Sequence, residues 1–310
     1  MAAGNNDKRS SDRKRLLLVL VSESVDILLE MAPLLDHIVI LLPQPALDSL
    51  PSWLTDAFTV IKGGQHAGGT TANQLVLLAD GVYLELIAFV GTDEGRRAHR
   101  WGAEPEGHVI DWALSLAGES VDAVDKQFSG VQKQVAAAGV GLEYKDLVAG
   151  GRTRPDGEVL KWATSAPADT ASSTDLVGVL PFWCLDRTPR RLRVPYEDND
   201  GTLAQHPSQA AGVSSVTLRV ADAALRDRLR KAYDAVLPRT AEDEWSVSAP
   251  TPVSGGRVAH LHLGLAEGDA ATVAAGRRGS IELGLFTDGK PGTVGGYLVD
   301  GWRFEIKLEN

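Results

Sequence analysis

Two polar side chains interrupt apolar strands and could carry chemistry together. His37 lies in the run LLDHIVILL and Glu85 lies in YLELIAF, and each has aliphatic neighbours. A buried charge without a partner is costly, so such groups normally pair with each other or bind a metal. Neutral imidazole and carboxylate are good ligands for divalent first-row metals, and such an ion polarises a carbonyl group. We expect His37 and Glu85 to lie together, either as metal ligands or as a structural hydrogen-bonded pair.

The glycine-rich turn GGQHAGGTTAN adds two further candidates, His66 and Asn73. A histidine near an enolisable carbon can act as a general base at neutral pH, and an amide can hold a carbonyl or hydroxyl group. The structural alternative is that both residues only stabilise the turn. No helix with Lys followed by Ser or Thr comes after these glycines, so we reject a phosphate-binding loop and predict no nucleotide cofactor.

These candidates fall in a β-α-β-β-β unit over residues 31–90. Its last two strands are joined at Ala79-Asp80-Gly81, where Asp-Gly strongly favours a hairpin. A second unit of the same order is predicted over residues 107–186, with an amphipathic helix that ends at Gly139. A partial repeat follows, so the sequence predicts an α+β protein of repeated βαβββ modules that form a barrel-like cleft. The predicted division is an N-terminal extension (1–30), a two-module domain (31–190), a linker or loop (191–212) and a third module (213–310).

The stretches LDHIVIL, GGQHAGGTTANQLVLL and DGVYLELIAF occur in this order, and together they resemble the glyoxalase-like domain family of the vicinal oxygen chelate superfamily. In that superfamily metal ligands lie on the first and fourth strands of a module. The resemblance therefore implies that His37 and Glu85 hold a metal. It does not fix the chemistry, because the superfamily includes lyases, isomerases, epimerases, dioxygenases, hydrolases and metal-free proteins that sequester drugs.

The resemblance also suggests where a third ligand could come from. The family pattern has a His-Pro pair, matched here by His206-Pro207, so His206 is expected as a third metal ligand or a catalytic residue. The alternative is an exposed loop histidine. Superposing YLELIAF on SIELGLF places Glu282 opposite Glu85 and makes Glu282 another candidate ligand.

The second unit offers walls in place of ligands. Laid on the first unit, its IDWAL matches LDHIV with Trp112 at the position of His37, and LPFWCL puts apolar side chains near the position of Glu85. Glutathione-dependent glyoxalase I activity is therefore not expected. In GGRTRPDGEVLKW, Arg152, Arg154 and Trp162 could line the cleft and attract an anionic substrate, or the two arginines could be solvated strand ends.

Composition narrows the class of partner. The chain has 310 residues, 44% hydrophobic content and a formal charge of -10, which argues against nucleic acid or an anionic membrane as a partner. The single cysteine, Cys184, fits a reducing compartment, and no apolar stretch is long enough to span a bilayer. We predict a cytoplasmic protein with a small-molecule substrate. An odd number of modules makes a homodimer worth considering.

Three functions remain open from the sequence. The first is a lyase or isomerase that acts on a small oxygenated carbonyl compound, with His37 and Glu85 holding a divalent metal and His66 assisting proton transfer. The second is a metal-free protein that sequesters a hydrophobic metabolite or drug. The third is a metal-free enzyme that uses His37 and Glu85 as an acid–base pair.

Overall fold

The apolar strands that carry His37 and Glu85 lie at the centre of an eight-stranded sheet, sheet I, in a computed structural model of the chain. The structure describes residues 32–172, 176–252, 254–267 and 278–310. The extension predicted for residues 1–30 lies outside these ranges. Sheet I has the strand order β2-β3-β4-β1-β5-β10-β8-β7. Its strands are β1 (Leu34–Leu41), β2 (Ile61–Gln65), β3 (Thr71–Leu77), β4 (Tyr83–Phe89), β5 (His108–Ser115), β7 (Val148–Thr153), β8 (Val159–Ser165) and β10 (Phe182–Asp186).

Two βαβββ modules build sheet I, as the sequence predicts. In the first module, helices α1 (Gln44–Asp48) and α2 (Ser52–Ala57) follow β1. Helix α3 (Asp93–Ala98) lies in the connection to the second module, where α4 (Val121–Ala137) follows β5. A separate two-stranded sheet pairs β6 (Leu142–Tyr144) with β9 (Pro167–Asp169). The ladder of sheet I uses Val148–Thr153 in place of β6, and the last strand of the second module starts at Phe182.

The two edges of sheet I meet and nearly close it into a barrel. An isolated antiparallel bridge joins His66, just after β2, to Arg152 in β7. The Ala67 amide also donates to the carbonyl of Gly151 at 3.0 Å. Closure leaves one face of each strand turned to the barrel interior and the other to the outside. Residues at alternate positions of β1 and β4, including His37 and Glu85, therefore face the interior.

A seven-stranded sheet, sheet II, repeats the pattern in the remainder of the chain. Its order is β12-β13-β14-β11-β15-β17-β16. Helix α5 (Arg190–Arg193) and a 3-10 turn (Thr202–Ala204) precede it, and a second 3-10 turn (Ser254–Gly256) lies between β13 and β14. Its elements are β11 (Ala210–Val220), α6 (Ala223–Asp234), β12 (Arg239–Ala241), β13 (Glu244–Val247), β14 (Ala259–Leu265), β15 (Gly279–Thr287), β16 (Gly292–Val299) and β17 (Trp302–Glu309).

Strand pairing gives the relation between the two sheets. In sheet I, β1 pairs parallel with β4 and antiparallel with β5. In sheet II, β11 pairs parallel with β14 and antiparallel with β15. The third module is therefore a complete βαβββ unit from β11 to β14, and β15 to β17 continue the sheet as β5, β8 and β10 do in sheet I. Among the described residues, no helix is long and apolar enough to cross a membrane.

A shared hydrophobic core joins the two sheets. Ile38 and Ile40 of β1 belong to the same buried cluster as Val216 and Leu218 of β11. The rings of Trp112 and Tyr233 lie 6.3 Å apart within it. Because β1 has this core on one face and the barrel interior on the other, its side chains are buried on both faces, which explains its nearly continuous apolar sequence.

Asp80 links the predicted hairpin of the first module to sheet II. Its Oδ1 accepts from the Val82 amide and its Oδ2 accepts from the Val213 amide, both at 2.9 Å. Gly81 has a φ of 79°, which a glycine adopts without strain, so the Asp-Gly turn forms as predicted. Burial raises the pKa of Asp80 to about 7, against the effect of the two amide hydrogen bonds.

This raised pKa predicts that stability falls as pH increases from about 4 to 7. In that window the native protein keeps the Asp80 proton while the unfolded chain loses it, which costs about 1.4 kcal/mol per pH unit. Urea unfolding of the wild type and of Asp80→Asn across this window tests the effect. The variant is expected to show a flatter pH profile, even where its absolute stability is lower. Parallel profiles would contradict the prediction.

Candidate active site

Four of the predicted site residues line one cavity inside sheet I. The cavity has a volume of about 300 Å³, and His37, His66, Asn73 and Glu85 all lie in its wall. Three neighbouring strands, β1, β4 and β3, supply three of these side chains, and the turn after β2 supplies His66. Residues that are distant in sequence meet here because the first module folds its first and fourth strands side by side. The volume is that of a site for a small molecule.

Glu85 lies at the centre of this group and is 4% exposed. Asn73 Nδ2 donates to its Oε1 at 2.6 Å. The Nε2 atoms of two histidines face the two carboxylate oxygens: His66 lies 3.5 Å from Oε1 and His37 lies 3.6 Å from Oε2. Neither histidine contact is a hydrogen bond at these distances. A buried carboxylate thus has one hydrogen bond and two imidazole nitrogens directed at it.

Asp36 fixes the orientation of His37. The Asp36 Oδ1 accepts from His37 Nδ1 at 2.6 Å, and the Tyr83 ring stacks on the imidazole with centroids 4.7 Å apart. Asp36 is the extra residue of a β-bulge in β1, between Leu35 and His37. Because Asp36 accepts the Nδ1 proton, the neutral His37 ring presents an unprotonated Nε2 to the cavity.

Two arginines of α5 hold Asp36 in its ionised form. Arg193 makes a bidentate contact with Asp36, with both bonds at 2.8 Å, and Arg190 donates to Oδ2 at 2.5 Å. Burial alone would raise the pKa of Asp36, but the two guanidinium groups outweigh burial and hold the pKa well below its usual range. Arg193 also binds Asp186 through Nε at 2.7 Å. This network was not predicted from the sequence, because α5 lies at the start of the segment that was predicted to be a linker or loop.

His66 is held by a neighbour in the same turn. Its Nδ1 lies 2.7 Å from Thr71 Oγ1, and its ring meets the edge of Trp162 at 5.9 Å. Burial lowers the pKa of His66; Glu85 acts in the opposite direction, and Arg152 and His37 lower it further. His66 is therefore neutral at neutral pH and able to accept a proton.

Two sets of side chains in the cavity region could supply metal ligands. Asp36, His37 and Cys184 offer atoms that lie within 4.8 Å of one another. Asp36 already accepts four hydrogen bonds, one from an imidazole and three from guanidinium groups, and the two guanidinium groups beside it repel a cation. Burial also raises the pKa of the Cys184 thiol, which disfavours the thiolate form that binds metals.

The pair His37 and Glu85 fits a divalent cation better. Donor atoms around a first-row metal at about 2.1 Å lie roughly 3 to 3.5 Å apart, close to the 3.6 Å between His37 Nε2 and Glu85 Oε2. His37 also has the anchored Nδ1 that metal-binding histidines usually show. The buried Glu85 carboxylate has no arginine or lysine within ion-pair distance among the described residues. A cation here would compensate its charge.

His206 lies outside the cavity, contrary to the expectation from the His-Pro pattern. Its Nε2 donates to the Leu77 carbonyl at 2.9 Å, and its Nδ1 accepts from the Thr59 amide at 3.1 Å. Both ring nitrogens are occupied, so neither is free to bind a metal or move a proton. His206 joins the loop before β11 to β3 and has a structural position.

Glu282 is also remote from the cavity, because the superposition that suggested it paired the wrong strands. The register places Ser215 and His262 of sheet II where sheet I has His37 and Glu85. Glu282 pairs with Thr217 across the β11–β15 ladder. It is exposed and interacts with Lys307 at 3.2 Å. Sheet II therefore does not repeat the His37–Glu85 pair.

The second module contributes Asp111 and Phe182 at the positions equivalent to His37 and Glu85. A bulge at Ile110 in β5 mirrors the bulge at Asp36 in β1, and it shifts the equivalence by one residue from the predicted Trp112. Trp112 points into the shared core. Asp111 accepts from Trp101 Nε1 at 2.8 Å and from Arg100 at 2.5 Å. The second module therefore has a carboxylate paired with Arg100 at one of these positions and an aromatic ring at the other.

Replacing Asp36 by asparagine tests the network that holds His37. We expect Asp36→Asn to lower the free energy of unfolding by about 3 to 5 kcal/mol, because it removes the buried carboxylate that both guanidinium groups share and leaves them only Asp186. Urea unfolding at pH 7 measures the loss. Asp186→Asn is the matched control, since Asp186 is more exposed and its removal leaves Arg193 paired with Asp36. Equal losses in the two variants would contradict a central role for Asp36.

Three solved structures align with this chain, and one of them shares its fold. A search of curated protein sequences finds no match. A hypothetical protein from Staphylococcus aureus shares the fold, with a TM-score of 0.57 at 12% identity over 89% of this chain and 100% of that one. A xylose isomerase-like TIM barrel/4-hydroxyphenylpyruvate dioxygenase fusion protein aligns at a TM-score of 0.42 and 12% identity, over 83% of this chain and 37% of its own length. Methylmalonyl-CoA epimerase from Mycobacterium tuberculosis aligns at 0.31 and 14% identity, over 51% and 90%.

The sequence profile of the glyoxalase-like domain matches residues 35–237. This range covers more than half of the chain and includes both modules of sheet I. It also includes every residue of the His37, His66, Asn73 and Glu85 group. The chain belongs to the glyoxalase-like domain family of the vicinal oxygen chelate superfamily.

Proposed function

We propose that this protein is an enzyme of lyase or isomerase type that moves a proton on a small oxygenated carbonyl compound. His37 and Glu85 would hold a divalent metal, and His66 would be the general base. One observation carries the proposal. The buried Glu85 carboxylate is faced by the Nε2 atoms of two histidines, and the Nδ1 atom of each histidine is hydrogen-bonded to another side chain. A purely structural histidine–carboxylate pair would close to a hydrogen bond instead.

The metal, when bound, would polarise the substrate carbonyl and stabilise an enediolate. His37 and Glu85 are two protein ligands, which leaves other positions for oxygens of water or substrate. Asp36 keeps the His37 proton on Nδ1, so that Nε2 is available to the cation. Asn73 holds one oxygen of Glu85 and leaves the other directed at His37.

His66 is the group that best serves as the base. Other cavity-lining groups that could take a proton are less suitable: burial raises the pKa of Tyr83 and of Cys184, which keeps both protonated. His99 is less suitable because its Nδ1 already accepts from the Trp101 amide at 3.2 Å and its ring packs against the rings of Phe89 and Trp101. His66, by contrast, is neutral and has Nε2 in the cavity beside Glu85.

Sequestration of a hydrophobic compound is the second candidate, because four aromatic side chains, Tyr83, Trp101, Trp162 and Phe182, line the cavity. Such walls would hold an apolar ligand without any reaction. This function would leave the Glu85 group without a role. Metal content and proton exchange distinguish the two candidates.

Metal analysis is the first test. The purified protein, and protein reconstituted with Mn²⁺, Fe²⁺, Co²⁺, Ni²⁺ or Zn²⁺, is expected to hold one metal per chain. A His37→Ala, Glu85→Ala double variant should lose it, because both protein ligands are gone. His66→Gln should keep the metal, as should His206→Gln, a buried histidine outside the cavity. Circular dichroism checks that each variant folds.

Two outcomes of this test would change the proposal. Absence of metal from every reconstituted wild-type sample would remove the Lewis-acid role and favour the sequestration function or metal-free acid–base chemistry. Loss of metal from His66→Gln would make His66 a ligand and remove its role as base.

Proton exchange tests the role of His66 without knowledge of the natural substrate. A panel of small 2-hydroxy and 2-oxo carbonyl compounds is incubated with metal-loaded protein in D₂O, and deuterium uptake at carbon is followed by NMR. We expect His66→Gln to slow uptake by about 10²- to 10⁴-fold, the usual contribution of a general base.

The pH dependence of this exchange follows from the lowered pKa of His66. A base must be unprotonated, so exchange should fall as pH drops through that pKa, which lies below the ordinary value of 6.5. The acid limb should disappear in His66→Gln, and His206→Gln should retain it. An acid limb that is unchanged in His66→Gln would assign the proton transfer to another group.

A further inference from the structure

The barrel-closing bridge places the guanidinium group of Arg152 in the cavity wall. Arg152 in β7 is 5% exposed and lines the cavity. Its Nη1 donates to the Gly63 carbonyl at 2.5 Å. This carbonyl is a neutral partner, and it uses one of the five N–H donors of the guanidinium. Most of the donor capacity of Arg152 therefore remains for a molecule in the cavity.

Arg152 differs from the other arginines of the cavity wall in its charge balance. Arg100 is paired with Asp111, and Arg193 is paired with Asp36 and Asp186. Of the three arginines that line the cavity in the described part of the chain, Arg152 alone has no carboxylate within 4.0 Å. Burial lowers the pKa of Arg152, with Tyr83 and Glu85 acting in the opposite direction. A buried guanidinium of this kind gains most from an anionic partner.

The bridge also fixes where such a partner would lie. His66 and Arg152 are directly opposite each other in an antiparallel pair, so their side chains leave the backbone on the same face, with Cβ atoms about 5 Å apart. Both residues line the cavity. An acid group held by Arg152 would thus present its neighbouring carbon to the side of the cavity that holds His66.

The surroundings favour a carboxylate with a flat apolar substituent. Gly150, two residues before Arg152 in β7, has no side chain, and a Cβ there would meet Trp162 Nε1 at 2.5 Å. The Trp162 ring therefore lies over Gly150, and both Trp162 and Arg152 line the cavity. Arg100 and Arg193 are already paired with carboxylates and no lysine lines the cavity among the described residues, so a phosphate dianion would meet a single unpaired guanidinium. A planar carboxylate matches the two-pronged guanidinium directly.

We propose that Arg152 binds the carboxylate of the substrate and that the substrate class is a small carboxylic acid with an oxygen function on the adjoining carbon. This inference rests on the proposed function, because it names the substrate of the same cavity. Arg152 is a binding and specificity residue in this scheme, and His66 on the opposite strand is the group that reaches the adjoining carbon.

Binding of simple probes to metal-stripped protein tests the proposal. Benzoate is compared with benzamide, its uncharged analogue, by isothermal titration calorimetry and by quenching of tryptophan fluorescence. We expect benzoate to bind about tenfold to a hundredfold more tightly than benzamide, the difference that a charge-assisted hydrogen-bonded pair supplies. Arg152→Gln should abolish the preference, and Arg152→Lys should restore part of it.

Arg154 provides a matched control two residues along the same chain segment. It contacts Asp156 at 2.7 Å and the Leu192 carbonyl at 2.9 Å, outside the cavity wall. Arg154→Gln should keep the full benzoate preference. Equal binding of benzoate and benzamide to the wild type, or a preference that survives in Arg152→Gln, would overturn the proposal. Tighter binding of phenyl phosphate than of benzoate would overturn the carboxylate class.

The result is separable from that of the metal experiments, because the titration uses protein without metal. Metal binding with no preference for benzoate would reject Arg152 as the substrate anchor and leave the proposed metal site intact. A benzoate preference that depends on Arg152, in a protein that never binds metal, would keep this inference and reject the metal role of His37 and Glu85.

Discussion

The ion pair between Asp36 and the arginines of α5 is the interaction on which the cavity depends. Asp36 is fully buried, and Arg190 and Arg193 reach it from a segment more than 150 residues further along the chain. The pair does three things at once: it joins α5 to β1, keeps Asp36 ionised and fixes the tautomer of His37. A buried ion pair is costly in isolation, so its value here is better explained by the orientation of His37 than by stability.

The two β-bulges explain how one strand can serve both the cavity and the core. Bulges at Asp36 in β1 and at Ile110 in β5 shift the side-chain alternation by one position on each strand. His37 and Val39 consequently face the interior, while Ile38 and Ile40 reach the core shared with sheet II. Asp36 and His37 are adjacent in the sequence, and the bulge allows both polar groups to turn away from the apolar core.

Local pattern was sufficient to predict the modules and the central residues, because both depend on short segments. The alternation of YLELIAF placed Glu85 on the interior face, and the Asp-Gly turn gave the hairpin before it. The sequence superposition matched Asp36 with Asp111, whereas the equivalent bulges at Asp36 and Ile110 align His37 with Asp111, so Trp112 was predicted in its place. The His-Pro match did not indicate the position of His206, because a sequence pattern does not show whether the ring nitrogens are already hydrogen-bonded.

The contacts that the sequence could not provide are those between distant elements. The sequence left two positions open for Arg152, which could line the cavity or lie at a solvated strand end. Closure of the barrel against His66 decides between them, since the same bridge buries Arg152 and directs it inward. Sheet II has equivalents of the central strands but carries Ser215 and His262 at the positions of His37 and Glu85. The cluster of four site residues around Glu85 therefore arises once in the described chain. Closure of sheet I places it beside Arg152, an arginine without a carboxylate partner, which faces the neutral His66.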